Sequence, residues 1–191
     1  MNPLPRLSES QIERIRQVKH VFEKVERLTG VPWQAVAAVW YRESFSVTPP
    51  KTPGGPFQFD PVLQPETICN LLKFFTRLSS AEIEQYASKG INDFETGALC
   101  AACWLRLKTK PVITPEASDE VIKDALYGYN GRAYGGADKS PYVMNGFDQT
   151  HRDMVLRGTI PDGRGGRKWV EIVDKRPGAF TVYKQLKSLI L

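Results

Sequence analysis

From Gly97 to Leu105 the chain reads Gly-Ala-Leu-Cys-Ala-Ala-Cys-Trp-Leu, an apolar stretch without a single charge. It is rich in helix formers and contains no proline. A helix that is apolar on every side is stable only where other elements surround it. The stretch therefore predicts a buried central helix, about Asp93 to Lys108, around which the rest of the chain has to fold.

The flanking sequence supplies amphipathic helices. Ser8 with Gln11 three residues on is a capping box, followed by Ile12, Ile15, Val18, Phe22, Val25 and Leu28 at helical spacing. Gly30 ends that helix, and Pro32 opens a second from Trp33 to about Phe45. Residues 46–61 hold five prolines and two adjacent glycines and must be a loop. Helical patterns resume at Pro65, at Ser79 with its Glu82, and from about Pro115 to Tyr127. Ser140-Pro141 predicts a helix to about Arg157, before Gly158, and a last helix runs from about Phe180 to Leu191. Between them, residues 158–178 show turn chemistry, with Trp169, Ile172 and Val173 in a short strand or an irregular loop. The expectation is one mainly α domain over residues 1–191, with seven or eight helices and at most a small β-hairpin. Residues 140–191 are expected to complete it as a helical C-terminal part with a loop at 158–178.

Composition narrows the chemistry without choosing it. Twenty-six Lys and Arg against 21 Asp and Glu leave a net charge of +5, which favours polyanions in general: nucleic acid, an anionic membrane surface or an acidic wall polymer. Cys69, Cys100 and Cys103 are an odd number. Cys100 and Cys103 share one face of the central helix, as small core residues. A zinc site would need four ligands, and only His20, His151 and Cys69 remain, so no metal and no cofactor are expected. His20 and His151 both fall in predicted helices, with no nucleophile motif nearby. The basic run Gly163 to Lys168 lacks the spacing of a phosphate-binding loop. No helix-turn-helix is apparent, so nucleic acid is not an expected partner. No apolar run approaches the ~18–20 residues of a membrane span. The N-terminal residues lack the apolar segment of a secretory signal, so synthesis in the cytoplasm is expected. A monomer is expected.

The informative residue is Glu43. Val36, Val39, Trp40 and Glu43 lie on one helical face, so a carboxylate ends an otherwise apolar stripe. Burial against Trp40 and the negative helix end both disfavour ionisation, which makes Glu43 a candidate general acid. The alternative is an ordinary ion pair with Arg42 or Lys51 at a solvated helix end. Gly55-Pro56-Phe57-Gln58 and Tyr127-Gly128-Tyr129-Asn130-Gly131 then read as loop and helix-end segments. They can bring Gln58, Tyr129 and Asn130 to a ligand opposite Glu43.

The series Glu43-Ser44, Gly-Pro-Phe-Gln58 and Gly-Tyr-Asn130-Gly resembles the three signatures of the lysozyme-like lytic transglycosylases, in the same order. The resemblance spans about residues 25–135, and the stretch Val31 to Ser44 looks like that family's catalytic helix. The family pattern Gly-Leu-Met-Gln becomes Gly-Pro-Phe-Gln58, and the Ala before Tyr-Asn becomes Gly128. The resemblance implies a lysozyme-like fold and cleavage of the β-1,4 bond between N-acetylmuramic acid and N-acetylglucosamine in peptidoglycan glycan strands. It implies Glu43 as acid and base, with Ser44, Gln58, Tyr129 and Asn130 as substrate-binding residues and Ser44 supporting the helix end. A hydrolytic lysozyme or endolysin would need a second carboxylate, for which Asp60 is the candidate, beside its reading as a turn residue. A wall-binding protein without turnover is the third option. The setting implied is the cell wall, reached in phage lysis or as part of a virion or secretion apparatus.

Overall fold

Capping decides where each helix begins, and burial decides that it exists. A cap contributes about 0.5–2 kcal/mol, whereas each Leu or Ile taken fully out of water contributes about 1.5–3 kcal/mol. A computed structural model describes residues 4–47, 54–59, 62–110, 112–161 and 166–189, apart from the side chains of 159–161 and 167. Helix α1 (Glu9–Thr29) starts on the Ser8–Gln11 capping box and stops at Gly30, whose φ of 75° is left-handed. Helix α2 (Trp33–Glu43) is buried along almost its whole length. Helix α3 (Pro65–Phe75) buries Ile68, Leu71 and Leu72, and α4 (Ser80–Lys89) begins on the Ser79–Glu82 box.

Helix α5 (Phe94–Leu107) is the predicted central helix. Asp93 caps it, residues Ala98 to Cys103 are fully buried, and it touches all four preceding helices and the next one. Burial holds the Cys100 and Cys103 thiols protonated, Cys103 at about 12, and all three cysteines are free. Helix α6 (Asp119–Tyr129) begins four residues later than Pro115 because Ser118, not Pro115, provides the cap.

The C-terminal part departs from expectation. Helix α7 (Pro141–Met144) is a single turn and does not reach Arg157. Asn145 ends it: the fully buried side chain donates to the Asp174 and Arg176 carbonyls (2.9 and 2.7 Å) and accepts from the Met154 N–H (2.9 Å). A continuing helix would leave those backbone groups without a partner. His151 lies in the turns that follow, not in a helix, and its ring nitrogen meets Asp148 at 2.8 Å. Strands β1 (Val155–Pro161) and β2 (Arg167–Val173) pair antiparallel, with Val155 opposite Val173 and Pro161 opposite Arg167. Helix α8 (Ala179–Ser188) then returns to pack on α2. The fold is mainly α, with eight helices and one two-stranded sheet among the described residues. Among them no helix is long and apolar enough to cross a membrane.

One buried ion pair joins the two parts. Arg42 Nη2 meets Asp174 Oδ2 at 2.6 Å, with both side chains under 4% exposed, and Arg42 Nη1 donates to the Pro177 carbonyl (3.2 Å). Breaking such a pair by Asp174→Asn leaves a buried guanidinium short of its counter-charge, at an expected cost of about 3–5 kcal/mol. Urea denaturation should show that loss. Arg42→Met with Asp174→Leu should recover most of it, because the uncompensated charge is gone.

Candidate active site

Helix α2 delivers Glu43, and Trp40 determines how the helix ends. The fully buried indole rests among Phe22, Phe45 and Phe94, with ring centroids 4.8–5.7 Å away, and its Nε1 donates to the Ser46 carbonyl at 2.8 Å. The chain turns sharply after Glu43, with Phe45 at φ 50° and its N–H on the Trp40 carbonyl (2.9 Å). A left-handed non-glycine residue costs about 1–3 kcal/mol and persists only where its surroundings dictate it. Here the aromatic cluster does.

Ser44 draws the next segment in, its Oγ donating to the Pro56 carbonyl at 2.6 Å. Residues 54–59 form a tight turn against the start of α5. The Gln58 N–H and Nε2 both reach the Gly55 carbonyl (3.1 and 2.7 Å), and the Phe59 N–H reaches Gly54 (2.9 Å). At Gly55 a Cβ would collide with the Ile91 carbonyl oxygen and the φ is 67°, so glycine is required there. Gln58, at φ 51°, is the second strained residue beside the site. Tyr129, near the end of α6, closes the ring by donating to the Phe57 carbonyl at 3.1 Å.

The result is a cleft of about 380 Å³ holding Glu43, Gln58, Tyr129 and Asn130, with Phe59, Leu63, Trp104 and Gly131 completing its walls. Small-ligand pockets span roughly 300–1,000 Å³. Four of the candidate residues thus come together from three separate segments. Ser44 is not among the lining residues: its hydroxyl is committed to the loop, so it positions the site and does not present itself to a ligand there. Asp60 lies outside the described residues. Among those described, Glu43 is the one carboxylate lining the cleft.

Tyr142 is the member the sequence did not point to. Its hydroxyl donates to Glu43 Oε1 at 2.7 Å across 99 residues of chain. Its ring is buried beneath Arg42, whose guanidinium carbon sits 5.2 Å from the ring centroid. Trp33 and Phe57 are core residues, and the Tyr134 hydroxyl is bound to the Arg157 backbone. Arg42 does not pair with Glu43; it pairs with Asp174.

Burial dominates the acidity of Glu43 and raises its pKa from 4.5 to about 7, against the opposing pull of the Tyr142 hydrogen bond and the Arg42 and Arg176 charges. Burial also holds the Tyr142 and Tyr129 hydroxyls protonated, well above the usual phenol range. With Oε1 occupied by Tyr142, Oε2 is the oxygen that carries the proton. Near neutrality the cleft therefore contains a carboxyl able both to give a proton and to take one.

A larger cavity, of about 730 Å³, opens between the ends of α1 and α3 and is bordered by Arg27, Arg77 and Arg106. Arg106 Nη1 donates to the Thr29 and Phe75 carbonyls (2.9 and 2.8 Å), which satisfies two helix C-termini. Its carboxylates are engaged as well, Glu23 with Lys19 and Glu26 with the Trp33 N–H. No comparable acid is poised there. Among the described residues no group of three or more His, Cys, Asp or Glu could hold a metal ion.

A carboxyl raised to about 7 destabilises the fold once it ionises. The folded form holds this proton between about pH 4.5 and 7 while the unfolded form releases it, so stability falls across that window as pH rises. The full penalty at pH 8 is roughly 3 kcal/mol. Glu43→Gln keeps the hydrogen bond and removes the charge. It should melt roughly 6–12 °C higher than the parent at pH 8 and about equal to it at pH 4. An equal melting point at both values would mean that Glu43 is fully solvated. Compared with known proteins, the chain matches no family model, no curated protein and no solved structure.

Proposed function

We propose that the protein cleaves the β-1,4 bond between N-acetylmuramic acid and N-acetylglucosamine in peptidoglycan, as a lytic transglycosylase with Glu43 as its single acid and base. The observation that carries this reading is the Glu43 carboxyl, buried to a pKa of about 7 in a cleft that also holds Gln58, Tyr129 and Asn130. The resemblance of those same residues to the family signatures supports it, as does a net positive charge suited to an anionic wall.

On this reading Glu43 Oε2 gives its proton to the glycosidic oxygen as the bond to the muramoyl C1 breaks. With no second carboxylate among the described residues of the cleft, the substrate's own 2-acetamido oxygen bonds to C1 and stabilises the positive centre. Glu43, now ionised, takes the proton of the muramoyl 6-hydroxyl. O6 attacks C1 and displaces the acetamido oxygen, which leaves a 1,6-anhydro end. The proton is back on Glu43, and no water is consumed. Tyr142 holds Oε1 in place throughout, while Tyr129 anchors the Gln58 turn through the Phe57 carbonyl.

Glu43→Gln should abolish release of soluble fragments from purified wall. Mass spectrometry of the wild-type digest should find anhydro ends, each lighter by one water than a reducing end. Reducing ends would indicate hydrolysis, and no soluble product would leave only wall binding. The pH profile carries a separate expectation. Activity should fall as pH rises through about 7, where Glu43 loses its proton. Tyr142→Phe removes a contact that lowers the pKa of Glu43, so its alkaline limb should move to higher pH. An unmoved limb would mean that another group sets it.

A further inference from the structure

The indole of Trp104 is a wall of two depressions. One is the Glu43 cleft, and the other is a groove of about 460 Å³ between α3 and α5. Leu71, Phe74 and Leu107 give the groove an apolar lining, with Thr67 and Asn70 as its polar members. Phe74 is 79% exposed and Leu107 50% exposed, two large apolar side chains left to water at one place. The Lys108 ammonium stands 4.8 Å from the Trp104 ring centroid and meets no carboxylate among the described residues. An apolar groove that shares the Trp104 wall with a cleft, with an ammonium over that same ring, suits a chain with small apolar side chains and negative charge.

We infer that this groove seats the peptide stem of the substrate, a refinement that rests on the proposed function. In peptidoglycan the stem leaves the lactyl group of the muramoyl sugar, the sugar whose C1 reacts. A stem leaving that sugar past Trp104 enters the groove directly. Its alanine methyls lie against Phe74 and Leu107, its carboxylates reach Lys108, and Thr67 and Asn70 meet its amides. The seat lies outside the catalytic cleft, so it adds binding without altering the acid.

The test compares soluble glycan strands carrying stems with the same strands stripped of stems by an amidase. Wild type should show about tenfold higher kcat/KM on stem-bearing strands, equivalent to one well-placed apolar contact. Phe74→Ala with Leu107→Ala should erase most of that ratio and leave the rate on stripped strands unchanged. Equal rates of the wild type on both strands would overturn the seat, and so would an equal loss on both in the variant. Sedimentation showing a dimer that the double substitution dissolves would give the groove to a second copy instead. Calorimetry with the free stem peptide separates this inference from the enzymatic reading. Binding that the double substitution abolishes supports the seat even where no glycan is cleaved, and no binding to the wild type overturns it.

Discussion

Taking a charge out of water costs several kcal/mol unless an opposite charge and hydrogen bonds replace the lost solvent. Two adjacent residues at the end of α2 face that cost and meet it differently. Arg42 is compensated by Asp174 and by the carbonyls of Arg176 and Pro177. Glu43 receives one hydroxyl, from Tyr142. Had Arg42 turned toward Glu43, its charge would have held the carboxyl ionised, and the cleft would contain an ordinary ion pair. Asp174 prevents this by holding the guanidinium elsewhere. The raised pKa that burial gives Glu43 therefore survives because its neighbour's charge is held elsewhere.

That dependence gives the C-terminal part a role beyond completing the core. It supplies Tyr142 to Glu43, Asp174 to Arg42, and the Asn145 side chain that binds the start of the hairpin to the segment before α8. Arg176 adds a bond from its Nη1 to the Arg42 carbonyl (3.0 Å). The end of α2 is thus gripped by residues 99 to 135 positions away. The opposite wall of the cleft comes from a turn that glycine lets approach the Ile91 carbonyl and from a tyrosine 72 residues on that fastens it.

The sequence was readable wherever structure follows from neighbours along the chain. Ser8 and Ser79 act as the expected caps, α5 starts at its expected end beside Asp93, Gly30 stops α1, and the uncharged run in α5 lies at the centre. Glu43 stood out because a carboxylate at the fourth position of an apolar stripe needs a reason. What could not be read depends on contacts between distant residues. The 141–157 stretch has enough apolar residues for a helix, but Asn145 gives its side chain to backbone groups at 154, 174 and 176. The Asn145-Gly146 pair, with Gly146 at φ 73°, is a local turn signal, but it does not announce those distant partners. Tyr142 as the partner of Glu43 and Asp174 as the partner of Arg42 were hidden for the same reason: one tyrosine or aspartate looks like another until the fold selects it.

The site also departs from what stability alone would select. Phe45 and Gln58, on either side of the Glu43 cleft, hold left-handed backbone without being glycine. Glycine at either position would relieve strain of about 1–3 kcal/mol. But the phenyl ring of Phe45 packs on Trp40 and Tyr41, and the amide of Gln58 is tied to Gly55. Each strained residue therefore contributes a side chain that glycine lacks, one to the cluster that ends α2 and one to the wall of the cleft. The surrounding aromatic core can absorb that strain together with the ionisation penalty at Glu43, because its buried rings contribute more than either. Local instability at the cleft is then a property the rest of the fold sustains, and it falls beside the carboxyl whose pKa burial raises to about 7.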